Sequence, residues 1–294
     1  ESNATDFLKS ALTHENPFIE TKDILGWIAQ QRSQVDVQVE RIQFDQLQDW
    51  RIDQTTGILT HDRGAFFTVP GIEVTTSWGD IKCWSQPIIK QAEVGYLGFI
   101  VKEINGTFYF LTQAKIEPGN INKVQLSPTL QATRSNYTQA HRGKAPAYLD
   151  YFRNAKPKDI LVDQLQSEQG ARFLRKRNRN IIVKVDGEIE LLPNFIWLTL
   201  GQLKYLMTLD NVVNMDSRTV ISGIPFGSYS NPATEMISHL AQSNKDSTVR
   251  KSIMKSLLSE DGAHESLSTI LSQLSHIKAV HDLWTKEVSL FELN

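Results

Sequence analysis

The densest polar information in the sequence lies in Gln113-Ala-Lys-Ile-Glu-Pro-Gly-Asn120, where a hydrophobic, strand-like run ends in Lys115 and Glu117 before Pro118-Gly119 stops it. Side chains two apart on a strand point to the same face. An ammonium and a carboxylate would therefore meet at the mouth of a sheet, each shifting the other's proton affinity. That suits acid–base work, although the commoner use of such a spacing is a plain ion pair at a strand end. The stretch from Leu126 to Lys144 follows, almost without aliphatic residues and full of hydrogen-bonding side chains. Within it Gln131, Arg134, Asn136 and Tyr137 offer donors and flat polar tips suited to a pyrophosphate and sugar hydroxyls; an ordinary polar loop is the bland alternative. His141 lies four residues after Tyr137, so the two would be neighbours on a helix, and histidine has the unperturbed pKa best suited to proton transfer near neutrality. A lone histidine is more often structural.

Gln166-Ser-Glu-Gln-Gly170 resembles the metal-binding acidic helix of Nudix hydrolases with most of its acids missing; Glu168 alone remains. One carboxylate is too few for a hydrolytic Mg²⁺ site, so no catalytic metal is expected and a pyrophosphohydrolase ranks last. The basic cluster Arg175 to Arg179 would complement a helix C-terminus or reach a diphosphate, the first being the commoner use. The chain has no Gly-x-Gly-x-x-Gly after a strand and no Walker loop, which disfavours a tightly bound dinucleotide or an NTPase. No cofactor is expected.

Several elements must position these groups. Residues 23 to 31 open with an N-cap type residue and set Ile24, Leu25 and Ile28 at helical spacing. Val35, Val37 and Val39 alternate with polar residues as a strand does, and 66–69 and 72–75 are rich in β-branched and aromatic side chains. Between residues 98 and 111, Asn105-Gly106 separates two apolar runs and predicts a hairpin with a type I′ turn. Helices are expected over 159–175 and 198–209, with a strand over 181–185 between them. Beyond a boundary near residue 227 the composition predicts helices at 236–241, 249–258 and 267–284. There is no complete internal repeat, yet Val39 to Leu47 is faintly echoed by Lys286 to Leu293.

The 294 residues are 40% hydrophobic, enough for one or two cores, and 31 Lys plus Arg against 33 Asp plus Glu leave a net charge of −2. That balance gives no bulk attraction to nucleic acid or to an anionic membrane. The single cysteine, Cys83, excludes an intrachain disulfide and suits a reducing compartment. No apolar run approaches the roughly 20 residues that span a bilayer, and the first residues lack a signal pattern, so a cytoplasmic protein is expected.

Taken together, Trp84-Ser-Gln-Pro-Ile-Ile-Lys-Gln91, Gly95-Tyr-Leu-Gly-Phe99, Gln113 to Asn120, Leu126 to Tyr137, Asp163 to Gly170, Leu198 to Leu203 and Asp210 to Thr219 resemble the NDP-hexose 2,3-dehydratase family over about residues 23 to 226. The resemblance implies an α+β, Nudix-like mixed β-sheet with flanking helices, which with the compositional boundary near 227 gives a domain over 1–226 followed by a helical C-terminal segment over 227–294. It also implies a chain of two duplicated copies, of which this sequence holds one, and a homodimer. The implied activity is removal of the 2-hydroxyl from a dTDP-linked 4-keto-6-deoxyhexose without metal or cofactor. For that chemistry, Glu117 or His141 is the expected base, Tyr137 or His141 the acid, and Lys115 the cation facing a developing oxyanion. Trp84, Gln86, Gln113, Asn120, Gln131, Arg134, Asn136 and Glu168 are the expected substrate contacts, Trp84 either as a stacking surface or as part of the core. A catalytically silent sugar-nucleotide binding module is the competing expectation.

Overall fold

The structure is a computed structural model and describes residues 3–64, 66–133, 145–225 and 264–293. Helices α1 (Ala4–Leu12) and α2 (Ile24–Ser33) come first. Five short strands follow: β1 (Trp50–Ile52), β2 (Leu59–His61), β3 (Thr68–Val69), β4 (Gly71–Thr76) and β5 (Cys83–Pro87). The long strands β6 (Gly95–Ile104) and β7 (Thr107–Ile116) lead into β8 (Val124–Ser127) and β9 (Leu130–Ala132). Then come α3 (Leu149–Arg153), β10 (Ile160–Ser167), β11 (Arg177–Lys184), β12 (Phe195–Thr199), α4 (Leu200–Leu206) and α5 (Met215–Ser222). Helix α6 (Leu267–Val280) and strand β13 (Leu283–Val288) follow. The fold is thus mixed α+β, and the chain divides into two compact units.

The first unit takes its described residues from Glu1–Glu40, Val94–Gln166 and Asn178–Leu258. Its sheet runs in the order β10-β11-β6-β7-β12, with β8 added to β7 and β9 to β6. The β6–β7 hairpin forms as its turn residues demand: Asn105 at φ 50° and Gly106 at φ 74° supply the two left-handed residues of a type I′ turn. Alternation along these strands divides the apolar side chains between two faces. Leu97, Phe99, Val101, Phe108 and Phe110 join Phe7 of α1, Ile24 and Ile28 of α2, Leu203 of α4 and Val220 of α5 in one cluster. Ile100, Tyr109 and Leu111 join Leu149 and Phe152 of α3 in the other. Each large side chain buried this fully contributes about 1.5–3 kcal/mol. Helix α4 starts where a capping box allows: Thr199 Oγ1 accepts from the Gln202 backbone, and Gln202 Oε1 accepts from the Thr199 backbone, both at 3.1 Å.

The second unit takes its described residues from Arg41–Glu93, Ser167–Arg177 and Ser259–Asn294. It holds two three-stranded sheets, β1-β2-β3 and β13-β4-β5. In the second of these β13 lies antiparallel along β4, Lys286 opposite Glu73 and Val288 opposite Gly71.

Four sequence expectations are corrected. The stretch expected as a helix over 159–175 is strand β10 followed by turns. Its apolar residues suit either period, and pairing with β11 decides the outcome. The basic cluster therefore follows no helix: Arg175 sits in a turn at φ 53°, and Arg179 on β11 makes a two-pronged bond to Asp163 at 2.8 and 2.7 Å. Residues 35 to 39 alternate as a strand would but find no strand partner among the described residues. The last expected helix stops at Val280, and Trp284 lies in β13 because β4 offers an edge there. The other late helices and the boundary near 227 lie outside the described residues.

Candidate active site

Strand β7 carries polar side chains out of the core on a single face. Tyr109 and Leu111 are buried, and a period of two continues their row to Gln113 and Lys115, with Glu117 just past the strand end. Strand β8 sets Ser127 opposite Gln113 and Gln125 opposite Lys115, and Ser127 Oγ donates to Gln113 Oε1 at 3.4 Å. Lys115 Nζ stands 3.8 Å from Glu117 Oε1 and donates to the Gln131 carbonyl at 3.5 Å. Gln131 Nε2 donates to the same Glu117 oxygen at 2.8 Å.

A fourth residue completes the array, one the sequence alone did not single out. Asn214 Nδ2 donates to Gln131 Oε1 at 3.1 Å. The chain before α5 docks beside β8, where Leu126 N donates to the Val212 carbonyl at 2.8 Å and Asn214 N to the Leu126 carbonyl at 2.9 Å. Asn214 Oδ1 caps the helix by accepting from Ser217 N at 2.9 Å. With that oxygen committed, the Asn214 amide faces Gln131 with its donor, so Gln131 turns its own donor to Glu117. The signal was present in Asn214-Met-Asp-Ser217, an N-cap residue three before the amide it caps.

Burial pushes the Lys115 ammonium below the usual lysine range, while the carboxylates of Glu117 and then Asp216 pull it back. Both members of the pair remain reachable, with side chains 25% and 31% exposed. The arrangement presents a partly desolvated cation beside a carboxylate whose orientation is held by an amide chain. Such a pair can stabilise an oxyanion and move a proton at adjacent atoms.

Other expected residues fall elsewhere. Asn120 ties the turn after β7, its backbone N–H donating to the Glu117 carbonyl at 3.0 Å and Nδ2 to the Lys123 carbonyl at 3.3 Å. Trp84 and Gln86 lie on β5 of the second unit. The Trp84 ring is 40% exposed and so is not core; its N–H donates to Gln86 Oε1 at 3.0 Å, and Gln86 Nε2 donates to the Ala171 carbonyl at 2.8 Å. Glu168 also belongs to the second unit and follows β10 instead of sitting on a helix, its backbone N–H donating to the Lys176 carbonyl at 2.9 Å. Arg134, Asn136, Tyr137 and His141 lie outside the described residues. Among the described residues no group of three or more His, Cys, Asp or Glu could hold a metal ion, and no helix is long and apolar enough to cross a membrane.

A family model described as NDP-hexose 2,3-dehydratase matches residues 21–224. The chain belongs to this family. Lys115, Glu117, Gln131 and Asn214 all fall inside the matched span. A dTDP-4-dehydro-6-deoxy-alpha-D-glucopyranose 2,3-dehydratase of Saccharopolyspora spinosa is 53% identical over 225 residues, 76% of this chain and 46% of its own length. One of the same name from Amycolatopsis orientalis is 46% identical over 222 residues, 74% of this chain and 47% of its own length. The chain thus spans about half the length of the curated relatives it matches. A solved structure described as an ADP compounds hydrolase overlays with a TM-score of 0.37 at 14% identity, covering 60% of this chain and 92% of its own; so low a score carries no argument.

Proposed function

We propose that this chain acts in the 2,3-dehydration of dTDP-4-keto-6-deoxyglucose, with Lys115 and Glu117 among the reacting groups. The observation that carries the proposal is the Lys115, Glu117, Gln131 and Asn214 array, which places a cation and an oriented carboxylate side by side on a rigid strand end. In the substrate the 4-keto group acidifies the hydrogen on carbon 3. Glu117 or His141 removes that proton, and the electron pair of the broken C–H bond moves into an enolate whose oxygen is met by the Lys115 ammonium. The carbonyl then re-forms, a double bond develops between carbons 2 and 3, and the C2 hydroxyl departs as water after protonation by Tyr137 or His141. The product enol tautomerises to a 3,4-diketo-2,6-dideoxyhexose. The pair of the broken C–H bond stays on the sugar and the C2–O pair leaves with the water, so the sequence is redox-neutral and needs no redox partner.

Contacts to the nucleotide and sugar are assigned to Trp84, Gln86, Gln113, Asn120, Gln131, Arg134, Asn136 and Glu168. What supports Trp84 as a stacking surface is its open ring and an indole N–H already satisfied by Gln86. A homodimer in the cytoplasm, working in deoxysugar biosynthesis, is part of the same proposal. The test is to incubate the purified chain with dTDP-4-keto-6-deoxyglucose, a 3-ketoreductase and NADPH, trapping the reactive diketone and following the sugar by mass spectrometry. A trapped 2,6-dideoxy-4-keto sugar, lost in Lys115→Met and in Glu117→Gln, is expected, because positioned acid–base and oxyanion groups each contribute about 10²-fold or more. Near wild-type rates in both variants would sink the scheme.

A further inference from the structure

The echo between the two ends of the chain becomes a close register once the elements are known. Helix α2 is followed by an extended segment and a three-residue 3-10 turn, Phe44–Gln46, capped at Gln43. Helix α6 is followed by β13 and a three-residue 3-10 turn, Leu290–Glu292, capped at Ser289. Setting Phe44 on Leu290 brings Ile24-Leu25 onto Ile270-Leu271, Ile28 onto Leu274, Asp36 onto Asp282, Ile42 onto Val288 and Leu47 onto Leu293. The environments differ sharply. Ile24 and Ile28 are buried, while Ile270 and Leu274 are 43% and 48% exposed. Conversely, Leu283–Val288 is a strand on β4, while its counterpart, residues 37–42, forms no strand among the described residues and leaves Val39 and Ile42 64% and 55% exposed, as is Phe44 at 68%. Each leader thus lacks the half of the seating that the other shows.

Charge states what the first leader fits. The β13 segment meets its seat with opposite charges: Lys286 Nζ lies 3.8 Å from Glu73 Oε2, and Lys90 Nζ lies 2.5 Å from Glu287 Oε1. In the same register the first leader carries Glu40 where β13 has Lys286, and Arg41 where it has Glu287. Placed on this β4, it would set Glu40 against Glu73 and Arg41 against Lys90. Glu40 would then lie directly across the ladder from Glu73, a destabilising like-charge pair, and Arg41 would come beside Lys90, off the ladder, so this sheet disfavours the first leader, which complements one of inverted charge. We propose that residues 37–47 dock as an added strand and turn on the β4 edge of a second domain of this fold, one that carries a base at the place of Glu73 and an acid at the place of Lys90. Because this chain covers less than half the length of its relatives, they have room for such a domain, and the two leaders would then be exchanged reciprocally.

The probe is a fluorescein-labelled synthetic peptide of residues 34–48, titrated against the full chain by anisotropy. In the double variant Glu73→Lys/Lys90→Glu, β13 meets like charges and its amide exchange accelerates, and the peptide should bind about tenfold or more tightly than to the wild type. Adding Lys286→Glu/Glu287→Lys should restore β13 and return peptide binding to the wild-type level. Should the double variant fail to fold, Lys286→Glu/Glu287→Lys alone opens an unaltered β4 edge. There a peptide with Glu40→Lys and Arg41→Glu should outbind the native peptide by about tenfold. Equal binding to wild type and double variant, no binding to an opened edge, or preference of the unaltered β4 for the native peptide would each overturn the proposal.

Discussion

Asn214 offers the sharpest separation of holding the fold from orienting the chemistry. It is 5% exposed and spends its amide twice, the oxygen capping α5 and the nitrogen bonding Gln131. Asn214→Ala loses both, a cap of about 1 kcal/mol and a hydrogen bond of about 1 kcal/mol. A loss near 2 kcal/mol lowers the melting temperature of a domain this size by about 4–8 °C. Asn214→Asp keeps an oxygen for the cap and a favourable charge at a helix N-terminus, but it replaces the donor facing Gln131 with an acceptor. The Gln131 amide must then turn over, and Glu117 loses its 2.8 Å donor. A hydrogen bond to a charged acceptor is worth about 1.5–3 kcal/mol, so the step that Glu117 serves should slow by roughly 10- to 150-fold. Thermal unfolding and single-turnover trapping of the dideoxy sugar measure the two effects side by side. A folded Asn214→Asp chain turning over at the wild-type rate would refute the amide chain as what orients Glu117.

Other outcomes follow from the same structure. Burial depresses Lys115, so the folded chain binds fewer protons than the unfolded one between that lowered value and about 10.5, and stability rises with pH across this window. Lys115→Met should flatten that rise in urea titrations run from pH 7 to 10; an unchanged slope would contradict the burial. Gly57 sits at φ +65°, and an added Cβ would strike Ser289 of the tail, so Gly57→Ala should accelerate amide exchange across β13 while leaving exchange in β6 and β7 unchanged. Gly201 packs with the Thr13 carbonyl 2.5 Å from where a Cβ would stand; Gly201→Ala should cost about 1–3 kcal/mol in denaturant unfolding, and a neutral result would mean that α1 shifts freely.

What the sequence made legible was local. Asn105-Gly106 announces its own turn because two left-handed residues are needed there, and the strand end at Lys115 and Glu117 follows from Pro118-Gly119. What escaped was decided by partners distant in sequence. Ile160 to Ser167 satisfies either period until β11 is beside it, and residues 35 to 39 alternate as a strand with no strand to join among the described residues. Asn214 escaped for a similar reason: its capping role is local, but its bond to Gln131 crosses more than eighty residues. Trp84 could be read as core or as a stacking surface, and only its exposure separates the two.

Strand β7 contributes side chains to both hydrophobic clusters and leads into the Lys115–Glu117 pair. The pair's spacing therefore depends on packing against both faces of the sheet, and a strand held from two sides is expected to open late. Substitutions that thin either cluster beside β7 are therefore expected to loosen the spacing of Lys115 and Glu117 without touching either side chain.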